Sequence, residues 1–205
     1  MEPLGATIDI ALPKGGMSAF YPLLRRGIWF EVGLGRSLEA VLEQDCGIDP
    51  DYLHQRVQTI FLNGNPVDDL QTALTRSGQA VALSAAMPGL VGATMRRGGY
   101  FAELREGISH RCDAQGVCEE TGWLLLKLYN FPATELAPTL LAQGIILEAA
   151  AMRELIQSLD DAFWGGGAEM AVNGEKVASR EEALGLLGGE GLVRLRVAQP
   201  ERQGE

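Results

Sequence analysis

Few residues in this chain are equipped for chemistry, and most of them fall in one stretch. His110, Cys112, Asp113 and Cys118 stand within nine positions, and sulfur with imidazole is the donor set that zinc prefers. The two thiols are spaced C-x5-C, which is not the spacing of a zinc ribbon or finger, so a solvated loop without a metal is predicted. Glu103, Glu119 and Glu120 read as surface charge around it. The only other histidine is His54, which leaves a Ser-His or Cys-His catalytic pair few ways to form. Neither G-x-x-x-x-G-K-S/T nor G-x-S-x-G occurs. Gly33-Leu34-Gly35 begins like a dinucleotide fingerprint, but Leu38 stands where the third glycine belongs. Cys46, after a helical segment, reads as a small core residue. No catalytic residue, cofactor or metal is predicted.

The chemistry that remains is recognition. From Met87 to Gly99 the chain reads MPGLVGATMRRGG, with four glycines, a proline and no acid, so an extended, mobile connector is predicted. A Gly-Gly pair has no Cβ and can thread a narrow channel, and Arg96 and Arg97 can be read by an acidic rim. Tyr100 and Phe101 follow at once. Arg96, Arg97, Gly98, Gly99, Tyr100 and Phe101 are therefore the candidate partner-binding residues. The competing reading is an interdomain linker in which Tyr100, Phe101 and Leu104 only pin the segment to a domain.

What must position those residues is an ordinary globular chain. Its 205 residues are 46% hydrophobic, 21% charged and 6% aromatic, which excludes disordered, collagen-like and disulfide-packed classes. Seventeen basic against 27 acidic residues give a net charge of −10 and a pI near 4.7, so nucleic acid and anionic membranes are not the expected partners. No secretory start and no membrane-spanning apolar run is read, and three cysteines cannot all pair within the chain. A cytoplasmic protein is expected.

Two blocks recur. Leu23 to Glu31 (LLRRGIWFE) returns as Leu140 to Glu148 (LLAQGIILE), and Asn63-Gly64-Asn65-Pro66-Val67 returns as Asn173-Gly174-Glu175-Lys176-Val177. The same order in both halves is the mark of a tandem duplication. In each copy an alternating strand opens the sequence, Ala6 to Leu12 or Trp123 to Tyr129. A short helical turn then runs from Pro22 to Gly27 or from Pro138 to Gly144. Second strands follow at Ile28 to Val32 and Ile145 to Glu148. Longer helices come next, carrying Leu38, Val41 and Leu42 or Met152, Leu155, Ile156 and Leu159 on one face. Third strands, Val57 to Leu62 and Glu169 to Val172, close on Asn-Gly hairpins, and the last strands are Gln79 to Ala85 and Leu192 to Ala198. This order predicts an α+β protein of two tandem β-grasp (ubiquitin-like) domains, each a mixed sheet covered by one main helix. Residues 1–99 form copy one with its glycine-rich tail, 100–121 a connector, and 122–200 copy two.

Ile60-Phe61-Leu62-Asn63-Gly64, Thr72-Ala73-Leu74 with Gly78, and Val81-Ala82-Leu83 leading to Gly98-Gly99 resemble the second half of the ubiquitin-like sulfur carriers of molybdopterin and thiamine biosynthesis, the MoaD/ThiS family. The resemblance covers roughly residues 28 to 99. It departs from the family in a segment of about a dozen residues, Pro13 to Arg26, where a tight hairpin is expected, and in an internal Gly-Gly. The resemblance implies a ubiquitin-like fold and a protein partner, with an adenylating enzyme as one such partner. Carrier chemistry would need cleavage after Gly99 to give an activatable carboxylate. The leading expectation is a non-enzymatic ubiquitin-like protein that binds a protein partner; the others are a processed sulfur-carrier precursor and a small-molecule-binding protein with an interdomain pocket.

Overall fold

The computed structural model describes residues 4–13, 15–71, 75–86, 89–99 and 120–199. In chain order it runs β1 (Leu4–Ala11), a 3-10 turn (Met17–Phe20), α1 (Tyr21–Arg26), β2 (Ile28–Gly33) and α2 (Leu38–Ala40), which continues as a π turn over Val41–Asp45. Next come α3 (Pro50–Gln55), β3 (Thr59–Leu62), β4 (Asn65–Pro66), β5 (Gln79–Ser84), α4 (Gly89–Met95) and β6 (Thr121–Tyr129). The second half holds α5 (Phe131–Glu135), α6 (Ala137–Gln143), β7 (Ile145–Glu148), α7 (Ala149–Ser158) and α8 (Asp161–Gly165). It ends with β8 (Glu169–Val172), β9 (Glu175–Val177), α9 (Arg180–Leu186) and β10 (Leu192–Ala198). The protein is therefore α+β, its strands paired in a mixed, parallel and antiparallel, pattern. Among the described residues no helix is long and apolar enough to cross a membrane.

Local signals place most of these elements. Pro22 and Pro138 open α1 and α6, and Gly27 and Gly144 end them. The paired Leu23-Leu24 and Leu140-Leu141 are all buried, so the repeated blocks do the same packing work in each copy. Ser37 caps α2 by accepting the Ala40 N–H, Asp49 caps α3 through Tyr52, and Ser179 caps α9 through Glu182. The two Asn-Gly hairpins match closely: Asn63 and Gly64 have φ of 51° and 83°, Asn173 and Gly174 of 53° and 83°, the positive-φ pair that a tight hairpin requires.

The compact units do not follow the segments 1–99 and 122–200 expected from the repeats. One unit is Met1–Ile28 with Thr134–Glu205, and the other is Trp29–Ala133. Each therefore contains the first strand of the other copy. The reason lies in the strands themselves: β1 buries Ile8 and Ile10, β6 buries Leu124, Leu126 and Leu128, and two strands of like alternation can fill like seats.

In the unit Trp29–Ala133 the sheet order is β4-β3-β5-β6-β2. β5 and β6 run parallel from Gln79 opposite Leu124 to Ser84 opposite Tyr129, and β3 lies antiparallel to β5. Its core gathers Leu38, Val41, Leu42, Ile48, Leu53, Ile60, Leu62, Val81 and Leu83, all essentially inaccessible to water. The copy-one helix is shorter than its apolar pattern predicts, because α2 gives way to a π turn and Gly47, at φ 69°, separates it from α3. Gly33-Leu34-Gly35 turns the chain for packing: a Cβ on Gly33 would stand 2.7 Å from Arg36 Cδ. Arg36 in turn donates to both carboxylate oxygens of Asp45, at 2.9 and 3.0 Å.

In the other unit the order is β7-β10-β1-β8-β9. β1 and β10 are parallel, while β7 and β8 flank them antiparallel. α7 lies against β7 and β10, burying Met152, Leu155 and Ile156. Each unit thus has a parallel central pair, with the seats of first and last strands interchanged between the copies. Asparagine side chains record the interchange. Asn63 Oδ1 accepts the N–H of Ala80 on β5, the last strand of copy one, at 2.9 Å. Asn173 Oδ1 accepts the N–H of Thr7 on β1, the first strand of copy one, at 2.9 Å.

Candidate functional site

The Gly-rich segment is not extended over its whole length: residues 89–95 form α4. A helix supplies its own backbone hydrogen bonds, and Gly92 is buried within it, where the missing side chain permits close approach. The chain then turns at Arg96. Gly99 N–H donates to Arg96 O at 3.2 Å, and Gly98 takes φ of 61°. The Gly-Gly pair closes a turn here. Arg97 pins that turn to the unit Trp29–Ala133: its backbone N–H donates to Gln58 O at 2.8 Å, and its guanidinium reaches Leu53 O at 3.4 Å. Burial works against the Arg97 charge, and the carboxylates of Glu39 and Asp68 work for it.

Two clefts adjoin the turn. One, of about 530 Å³, is lined by Glu39, His54, Asp68, Asp69, Leu70, Gln71, Arg97 and Gly98. The other, of about 200 Å³, lies between His54, Gln55, Val57, Gln58, Arg96 and Arg97. The buried Gln58 Oε1 has no hydrogen-bond partner among the described residues. Arg96 is exposed on the rim and Arg97 half-buried in the wall. The structure therefore puts Arg97 and Gly98 in the lining of an acidic cleft and Arg96 in that of the smaller cleft, which shares His54 and Arg97 with it. Tyr100 and Phe101 lie outside the described residues, as do His110, Cys112, Asp113 and Cys118.

Sequence reasoning missed the acids and the imidazole of this cleft. Glu39 sits in the first turn after the Ser37 cap, where a carboxylate is favoured by the helix N-terminus. Glu43 follows one turn later. His54, from α3, places Nε2 2.8 Å from Glu39 Oε1 and 3.8 Å from Glu43 Oε1. The Glu39 side chain is only 15% exposed, whereas that of His54 is 51% exposed. The signal available in the sequence was the i, i+4 spacing of Glu39 and Glu43 on a capped helix; nothing local announced that α3 would return His54 to it.

Cys46 is buried, and burial, with the charge of Asp45, pushes its thiol well above the usual range, so it is no nucleophile. In the other unit a cavity of about 540 Å³ is lined mainly by small and apolar residues, among them Leu12, Gly16, Ala19 and Phe163. Its one carboxylate, Asp160, is engaged in capping α8 through the Phe163 N–H at 2.9 Å. In comparisons with known proteins, no family matches the chain, and neither a curated protein nor a solved structure does.

Proposed function

We propose that this chain is a non-enzymatic, ubiquitin-like protein of two β-grasp units that acts by binding a protein partner, with the turn Arg96–Gly98 and its acidic cleft as the contact. The β-grasp reading is supported by the parallel central pairs β5/β6 and β1/β10, each flanked by an antiparallel strand leading to an Asn-Gly edge hairpin. The binding reading rests on one observation: the turn that carries Arg96 is held by Arg97 on Gln58 and Leu53 beside a cleft lined by Glu39, Asp68 and Asp69. A basic residue on an anchored turn beside an acidic recess offers both signs of charge on one surface, which gives specificity and orientation in protein association. The partner it fits presents a basic side chain to the cleft and an acid to Arg96.

This reading is preferred over a processed sulfur carrier for a structural reason. Cleavage after Gly99 would cut the chain between β5 and β6, and β6 is the parallel neighbour of β5 along its whole length. A carrier ending at Gly99 would lose that covalent link to a central strand.

The test places a photo-crosslinking amino acid at position 96 in the full chain and, in a second protein, at the exposed Arg25. A discrete adduct with a protein at position 96, absent at 25 and lost when Asp68 and Asp69 are both changed to Lys, is the expected result. Equal adducts at both positions, or none at 96, would remove the turn as the contact.

A further inference from the structure

Glu39 and Glu43 are four residues apart on one capped helical segment, so a single turn carries both carboxylates to the same side. His54 comes from a different helix, α3, and although half-exposed it aims Nε2 at the two acids. Glu39 Oε1, a Glu43 carboxylate oxygen and His54 Nε2 all lie within 4.8 Å of one another. We propose that Glu39, Glu43 and His54 form a binding site for a divalent first-row transition ion of the zinc class.

The distances carry the geometry. Zinc holds imidazole nitrogen and carboxylate oxygen at about 2.0–2.2 Å, which sets neighbouring donors roughly 3 to 4 Å apart. The contacts here are 2.8 and 3.8 Å to the imidazole, the first just short of that spacing and the second within it, so a small side-chain rotation admits an ion. Charge balance agrees, because two carboxylates and a neutral imidazole match a dication. An imidazole among the donors favours zinc, copper, iron or nickel over magnesium and calcium. Glu39 and His54 also line the cleft that holds Asp68 and Asp69. The three carboxylates of that cleft outnumber the single guanidinium of Arg97. The site shares Glu39 with the partner cleft but does not rest on the partner reading, since metal binding is measured on the chain alone.

The experiment titrates zinc chloride into the tag-free full chain carrying His110→Ala, Cys112→Ser and Cys118→Ser. That background removes every thiol except Cys46 and leaves His54 as the sole histidine. One equivalent of zinc should bind, magnesium should bind at least about tenfold more weakly, and Glu43→Gln or His54→Gln should each reduce zinc affinity about tenfold or more. With the triad intact, the Nδ1 and Nε2 resonances of the one remaining imidazole should move at one equivalent, a reading that needs no further variant. No zinc binding in the background protein, or unmoved imidazole resonances, would leave Glu39 and His54 as an ordinary polar contact and overturn the proposal.

Discussion

Replacing Asn173 with Ala tests the interchange of first and last strands at one amide. Two contributions are lost. The Thr7 N–H loses its acceptor, Asn173 Oδ1 at 2.9 Å; because the bond is exposed, water replaces part of it, and about 1 kcal/mol is a fair value. Alanine must also adopt the positive φ of 53° that asparagine tolerates here, which costs about 1 kcal/mol more. The sum, about 2 kcal/mol, is a factor of roughly 30 in the folding equilibrium. Asn173→Gly separates the two terms, since glycine relieves the backbone but not the amide. Native-state hydrogen exchange should then show Thr7 exchanging about fivefold faster in both variants. Urea unfolding should show Gly recovering about half of the loss. In copy one the matching amide is Ala80, so Asn63→Ala should accelerate Ala80 instead. If Thr7 is unaffected in both Asn173 variants and an amide of β10 responds, β10 and not β1 lies beside the Asn173 hairpin, and the interchange is refuted.

Leu42→Ala removes three carbons from a side chain with no exposure. At about 0.8 kcal/mol per methylene plus a cavity term, the loss should be about 3 kcal/mol, with a similar value for Leu159→Ala. Urea unfolding measures both, and a loss under about 0.5 kcal/mol would mark either site as surface. Cys46 supplies a pH dependence. Its thiol stays protonated in the folded chain and ionises near pH 8.5 when unfolded, so the folded state holds the extra proton above that pH. Its contribution is complete below about pH 8.5 and falls by up to about 1.4 kcal/mol per pH unit above it. Urea midpoints between pH 8 and 10 should therefore fall more steeply for the parent than for Cys46→Ala, and parallel slopes would contradict the burial. With Cys112 and Cys118 replaced by Ser, thiol reagents should label Cys46 only on unfolding.

The elements were legible because their signals are local. Pro22 and Gly27 bracket α1, Asn63-Gly64 sets a hairpin, and the alternation of Leu124, Leu126 and Leu128 writes a half-buried strand into the sequence. What was not legible is which strand fills which seat. β1 and β6 carry the same apolar period, and period decides the face a residue takes, not the neighbour a strand chooses. The segment before Arg96 read as extended because its glycines and proline are turn signals, yet tertiary packing made residues 89–95 a helix with Gly92 buried. Arg96 and Arg97 were found as candidates because basic residues beside Gly-Gly stand out in an acidic chain. Glu39, Asp68 and Asp69 were not, because among 27 acids only the fold distinguishes those that share a cleft.

The central claim is that the chain acts uncut, with Gly98-Gly99 closing an internal turn and β6, downstream of it, paired with β5. Intact mass spectrometry of the protein isolated from its native cells tests this most directly. A species in which Gly99 is still joined to Tyr100 is expected, whereas a fragment ending at Gly99, with or without a sulfur atom on its new carboxylate, would contradict the claim and restore the carrier.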